Sequence, residues 1–142
     1  VSTLREELNE AAVAGLDPAK PVVMLNLMKF RARSLDGDGS GWDAYLRYSK
    51  NTSPLLKARG ATILWTGDVR ALALGPCGAG EWDYAALVSY PRPAAFLDMM
   101  KSPEYARGNV HRENGCEKHV ILATHEAYSK LAAAKSEPLP RA

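Results

Sequence analysis

Apolar residues recur along this chain at two spacings, and the changes of spacing mark out its elements. Residues 21–30 read PVVMLNLMKF, an apolar run of strand length with one asparagine, Asn26, near its middle. ATILWTGDVRALALG, 61–75, reads as a long strand bent at Gly67. PCGAG, 76–80, then supplies a hairpin turn and EWDYAALVSY, 81–90, the returning strand. EKHVILATHEAY, 117–128, is the fourth strand. Helical spacing fills the gaps. Over 42–59, Trp42, Tyr45, Ser49 and Leu56 lie near one face, flanked by Leu46 and Leu55 and closed by Gly60. Pro54 either kinks this helix or opens a second segment capped by Ser53. Pro93 opens AAFLDMM, and Ser102-Pro103 opens PEYARGNVHREN with the same start chemistry. Ahead of all this, Thr3 to Gly15 predicts a helix, with Thr3 and Glu6 at capping-box spacing and Leu4 and Leu8 on one face.

The resulting order, β-α-β-β-α-β, is most simply solved by an α+β ferredoxin-like sandwich. Its four-stranded antiparallel sheet carries both main helices on one face. The division expected is a helix and linker over 1–20, the domain over 21–130, and a frayed tail over 131–142. A sheet with one wet face alternates apolar and polar side chains, and these strands do not. Val23, Leu25 and Leu27 point one way on the first strand, Val22, Met24 and Met28 the other. The third strand sets Trp82, Tyr84, Ala86 and Val88 against Ala85 and Leu87. With helices over one face, the second needs a cover. A homodimer paired through its sheet faces is the expected one, and the N-terminal helix or the tail is the alternative.

Composition narrows the classes. A chain of 142 residues, 46% hydrophobic and 24% charged, has the length of one domain and enough apolar material for a core. Its net charge of +2 is too small to point to nucleic acid. A sheet apolar on both faces also lacks the open aromatic and basic surface of an RNA-binding sheet. No run approaches the length of a membrane-spanning helix. The opening VSTLREELNE is acidic where a signal peptide is apolar. Cys77 and Cys116 stand alone, outside any CxxC pattern, so a cytoplasmic location is expected.

Candidate chemistry is sparse. No GxSxG, HExxH or phosphate loop occurs, and GPCGAG joins two strands without opening a helix. LDGDGSG, 35–41, lacks the spacing and terminal glutamate of a calcium loop. His119 and His125 share strand parity but lie ~20 Å apart along it. His111 falls off the main stripe of its helix and is expected to face solvent. No metal or cofactor is therefore expected. Tyr105, Asn109 and Arg112 follow i, i+4, i+7 spacing and form one stripe, with Ala106 and Val110 on the adjoining apolar one. Arg112 either offers its planar fork to a carboxylate or enolate oxygen, or pairs with Glu104, Glu113 or Asp98. Asn26, on a central strand, needs a partner, because an unpaired buried amide costs about 1–3 kcal/mol. A ligand carbonyl and the backbone of a neighbouring loop both qualify. Trp65, Trp82 and Tyr84 offer flat walls, and Tyr45 and Tyr48 can cap a cavity between helix and sheet.

The stretches PVVMLNLMKF, YLRYSKNTSPLLKARGATILWTGDV and EWDYAALVSYPRPAAFLDMMKSPEYARGNVHREN together resemble the DUF1330 family over about residues 21–125. The most specific pieces are the strand ending LNLMKF, the Gly60–Gly67 spacing, the tyrosine-proline strand exit, and SPEY followed by an arginine. The resemblance implies the dimeric α/β-barrel superfamily, which includes cofactor-free monooxygenases, lactone isomerases, dehydratases and haem-degrading enzymes. It thereby implies a small-molecule site that needs no permanent cofactor and acts on a carbonyl or aromatic compound. In that reading Asn26, Arg112 and Tyr105 do the chemistry, and Tyr45, Trp65, Trp82 and Asn109 hold the ligand. A dimer that binds without turnover, or one with a structural role alone, is the alternative.

Overall fold

The computed structural model describes residues 4–76, 78 and 80–131. In chain order the elements are α1 (Leu4–Glu7), α2 (Glu10–Ala14), β1 (Val22–Phe30), α3 (Gly41–Ala58), β2 (Thr62–Asp68), β3 (Tyr84–Tyr90), α4 (Pro93–Met100), α5 (Pro103–Gly115) and β4 (Cys116–Thr124). The sheet runs β2-β3-β1-β4, with every neighbouring pair antiparallel. This is the ferredoxin-like arrangement that the element order predicts, and β1 is central in it.

β1 divides the molecule. Val22, Met24, Asn26 and Met28 are buried towards the helices, while Val23, Leu25 and Leu27 face the other way and are half-buried. Opposite β1, the helix side is completed by Val88 and Tyr90 of β3 and by Phe96, Met99 and Met100 of α4, all buried. Each such side chain contributes about 1.5–3 kcal/mol by leaving water. The outer face carries Leu25, Leu27, Leu87, Val120, Leu122 and Trp65, with Leu122 and Trp65 about half exposed. The N-terminal helices do not cover it. Leu4, Leu8 and Val13 pack against the core on the helix side instead. The expected tail lies outside the described residues beyond Leu131.

Several expected boundaries move. The helix predicted over Thr3–Gly15 is two short pieces broken at Leu8-Asn9, and Thr3 falls outside the described residues. Asn9 leaves the helical conformation with φ -84° and ψ 71°, and Glu7 and Glu10 on either side of the break are drawn into separate ion pairs. β2 stops at Asp68 rather than running to 75. After Val69 donates to the Asp83 carbonyl, the chain leaves the sheet, and the described residues between 70 and 83 form neither helix nor strand, with Leu74 almost fully exposed. Cys77 and Ala79 of the expected hairpin turn are outside the described residues. β3 correspondingly starts at Tyr84, because Asp83 turns its carboxylate to accept from the Phe30 amide at 2.8 Å. On α3 the buried ridge is Ala44, Tyr48, Thr52 and Leu56, one step round from the predicted face, and Trp42 is exposed. The Ser40–Asp43 capping box sets this phase. The helix continues through Pro54. On α5 the polar stripe is the buried one, whereas Ala106 and Val110 face outward.

α3 and α5 meet at a contact too tight for a side chain. The Gly41 amide donates to Arg31 O at 3.0 Å, and the Arg31 amide donates to Gly115 O at 2.8 Å. A Cβ on Gly41 would collide with Arg31 O and stand 2.6 Å from both Arg31 N and Gly115 O.

Candidate functional site

Asn26 finds its partner on the neighbouring strand. β1 and β4 pair so that Asn26 lies opposite Ile121, which brings His119 diagonally beside it on the helix-facing side. His119 Nε2 lies 2.9 Å from Asn26 Oδ1, and His119 Nδ1 lies 3.3 Å from Arg112 Nη1. A guanidinium can only donate, so Nδ1 is the accepting nitrogen and the ring proton sits on Nε2, donated to Asn26. The amide orientation follows: Oδ1 accepts from His119 while Nδ2 donates to Met24 O at 3.2 Å.

Arg112 anchors the rest. Its side chain is 11% exposed and uses all three edges of the fork. Nε donates to Asn109 Oδ1 at 2.7 Å and Nη2 to Glu7 at 2.8 Å, alongside the histidine contact. Burial opposes the Arg112 charge, but the Tyr105 hydroxyl, Glu7 and Tyr48 outweigh it and hold the pKa above the ordinary value. Nearby, the Tyr48 and Tyr105 hydroxyls share a 2.8 Å hydrogen bond. Burial pushes Tyr105 up to about 12 and Tyr48 well above its usual range, so both are neutral hydrogen-bonding groups. Burial likewise raises the Cys116 thiol to about 11, which keeps it from acting as a thiolate nucleophile near neutrality.

Asn26, His119, Arg112, Tyr48 and Tyr105 border two cavities between the sheet and the helices. The larger, about 190 Å³, lies under α1 and α2, against Arg112, Tyr105, His119, Met24 and Phe96. The smaller, about 70 Å³, reaches towards α3 and includes Asn26, Tyr45, Tyr48 and Thr52. Met24, Phe96, Met100, His119 and Ile121 line both. Thr52 Oγ1 is buried at the smaller one with no hydrogen-bond partner among the described residues. That is an unusual position for a hydroxyl, since buried polar groups are nearly always paired.

The residues expected from sequence are sorted by this geometry. Asn26, Arg112, Tyr105 and Asn109 come together, and Tyr45 reaches the smaller cavity. Asn109 does not face either cavity: its oxygen holds Arg112, and its amino group donates to Glu113 at 3.1 Å. Trp65 stands on the outer sheet face. Trp82 lies in the 69–83 loop beneath Lys118 Nζ, 4.6 Å from its ring centre. Neither tryptophan lines a cavity that Asn26 or Arg112 borders. Arg112 pairs with Glu7 and not with Glu104, Glu113 or Asp98. His119 and Glu7 are the functional candidates that sequence reasoning missed. Strand parity carried a signal for His119, since it shares a face with Ile121. No pattern pointed to Glu7. His111 is half-buried rather than solvent-facing, and its Nδ1 has no partner among the described residues. Among the described residues, no three His, Cys, Asp or Glu side chains converge as a metal site. No helix among them is long and apolar enough to cross a membrane.

His119 makes the site sensitive to pH. Burial, reinforced by the Arg112 charge, pushes its pKa down to about 3. The unfolded chain binds this proton near pH 6.5, so the folded state binds fewer protons between those values. The stability is therefore present above about pH 6.5 and is lost as pH falls, by about 2 kcal/mol at pH 5. His119→Gln cannot titrate. Urea unfolding at pH 7.5 and pH 5 should show wild type losing about 2 kcal/mol more than this variant. Parallel losses would mean that the imidazole is not held neutral.

Fold and site together define a ferredoxin-like α+β fold with a hydrogen-bonded polar chain beside a cavity between sheet and helices. The solved structures it resembles share the fold. A protein of unknown function from Rhodopseudomonas palustris is 27% identical, with 84% of this chain and 92% of that one covered and a TM-score of 0.75. A dimeric protein of unknown function and ferredoxin-like fold from Bacteroides fragilis is 13% identical, with 75% and 96% covered and a TM-score of 0.51. A cofactor-independent oxygenase from Streptomyces nogalater is 10% identical, with 78% and 97% covered and a TM-score of 0.54. The last two share the fold alone. No protein-family profile and no curated protein matches the chain.

Proposed function

We propose that this chain is a small-molecule-binding subunit of the DUF1330 type, whose site lies between sheet and helices and takes a compact aromatic or carbonyl compound. One observation carries the reading: a single cavity is bordered by the polar groups of Arg112, His119, Tyr105 and Glu7 on one part of its wall and by Met24, Phe96 and Ile121 on the rest, so placed polar groups and apolar surface share one concave site. The motifs LNLMKF and SPEY support the family assignment, and the free, buried Cys116 thiol fits a cytoplasmic setting.

Chemistry without a permanent cofactor is within reach of these groups. Arg112 offers a fixed positive charge to a developing enolate or carboxylate oxygen, and Tyr105 offers a hydroxyl. Asn26 acts through His119, fixing the ring and its tautomer. A second reading, binding without turnover, is favoured by the same wiring, because Asn26 and His119 are already satisfied by protein partners. Turnover of a bound compound, followed by NMR under air, separates the two.

Acetophenone, which is both aromatic and carbonyl-bearing, tests the site by thermal shift and protein NMR. Wild type should be stabilised, and Ala123→Trp, at the edge of the larger cavity, should lose the effect. Equal stabilisation of both would move the site elsewhere.

The subunit is further proposed to pair through its outer sheet face. The uncovered residues Leu25, Leu87, Val120, Leu122 and Trp65 support this, and a fold neighbour is itself described as dimeric. Light scattering should give twice the chain mass for wild type and a monomer for Leu122→Glu, which buries a carboxylate opposite an apolar sheet. A monomeric wild type would remove the pairing.

A further inference from the structure

We infer that the larger cavity takes a compact carboxylate with a ring-sized apolar body, and that Glu7 stands on Arg112 in the place of that ligand's carboxylate. The inference rests on the site proposed above and names its ligand class.

Arg112 is held from within by two hydrogen bonds on the α5 and β4 side, with Tyr105 nearby, and by one ion pair from outside. Asn109, His119 and Tyr105 belong to α5 and β4, whereas Glu7 comes from the four-residue helix α1. The two members of the ion pair are unequally placed. The Arg112 side chain is 11% exposed, the Glu7 side chain 47%. Glu7 can therefore return to water at little cost, and Arg112 cannot. Leu4 and Leu8, which flank Glu7, form part of the cavity wall, so α1 is at once the roof of the cavity and the source of its anion.

This pairing decides the charge of the occupant. If α1 lifts without a replacement, a guanidinium that is nearly buried loses its counter-ion, which is strongly unfavourable. A neutral ligand leaves that deficit in place. A carboxylate cancels it, and one of its oxygens can take the Nη2 donor that Glu7 now meets. The apolar remainder of the wall, Met24, Phe96, Met100 and Ile121, calls for a hydrophobic body on the same molecule. Size sets its scale. An apolar cavity of about 150 Å³ holds benzene, so about 190 Å³ suits one ring with a carboxylate.

Competition between Glu7 and the ligand makes the idea measurable. Calorimetric titration compares benzoate, acetophenone and acetate on wild type, Glu7→Gln and Arg112→Lys. Glu7→Gln changes a half-exposed group and keeps its shape, so folding is expected to survive, and circular dichroism melting checks this. Removing the competitor raises the fraction of chains ready to bind, and benzoate should bind Glu7→Gln at least about fivefold tighter than wild type. Acetophenone should change by less than about twofold, because it does not contest the guanidinium. Acetate should bind far more weakly than benzoate to the same variant, and Arg112→Lys, which keeps the charge but loses the fork, should weaken benzoate. Benzoate affinity unchanged or weakened in Glu7→Gln, with acetophenone still binding, overturns the carboxylate assignment and leaves the site standing. Failure of both ring compounds on every variant overturns the site as well.

Discussion

Replacing Gly41 with alanine is expected to cost about 4 kcal/mol or more, the largest single effect the fold predicts. The methyl group would meet backbone on every side: the Arg31 carbonyl and amide at the end of β1, and the Gly115 carbonyl at the end of α5. None of these can rotate away, unlike the far end of a side chain. Two hydrogen bonds cross the same point, Gly41 to Arg31 and Arg31 to Gly115, so separating the backbones would break the joint that sets α3 against α5. Urea unfolding should show the midpoint falling by a large part of the whole transition, since a domain has only about 5–15 kcal/mol in all. A loss below about 1 kcal/mol would mean that the contact relaxes easily.

Arg112→Met is expected to cost about 3 kcal/mol. It removes one charged partner from Glu7 and leaves Asn109 Oδ1 and His119 Nδ1 facing an apolar side chain. Each stranded buried acceptor costs about 1–3 kcal/mol, but Glu7 is half exposed and recovers water, which holds the sum near the lower end. The variant has a second readout. The Arg112 charge helps to depress the His119 pKa, so NMR titration should find the ring protonating above the value of about 3 set in wild type. Loss of stability without that movement would assign Arg112 a packing role and remove its contact with the histidine.

The fold was legible in the sequence because strand and helix periods are set locally. The apolar run of β1, interrupted only by Asn26 before Lys29, announced a strand with something on both faces, and Ser102-Pro103 announced the start of α5. Errors fell where tertiary contacts override local pattern. LALG continues the apolar run of β2, yet the chain turns away because β3 begins only after Asp83 has capped the Phe30 amide. The site was half legible. Tyr105, Asn109 and Arg112 share a face by helical spacing, which is a short-range property. Glu7 and His119 reach the same place through pairings between segments far apart in the chain; strand parity gives the face of His119 but not its partner, and no local pattern encodes Glu7. Trp65 and Trp82 were misplaced for a related reason: a bulge in β2 between Ile63 and Trp65, and a late start to β3, decide where those rings go.

The wiring of the site also dictates when it can exist. β1 has as its immediate neighbour β4, the last strand of the fold, and Asn26 meets its histidine across 93 positions of sequence. On the ribosome, β1 emerges early with an apolar edge that nothing yet synthesised can close. The cavity cannot be completed until β4 has left the exit tunnel. A chain cut short before residue 119 would therefore present that open edge of β1 to its surroundings, with Asn26 lacking its histidine.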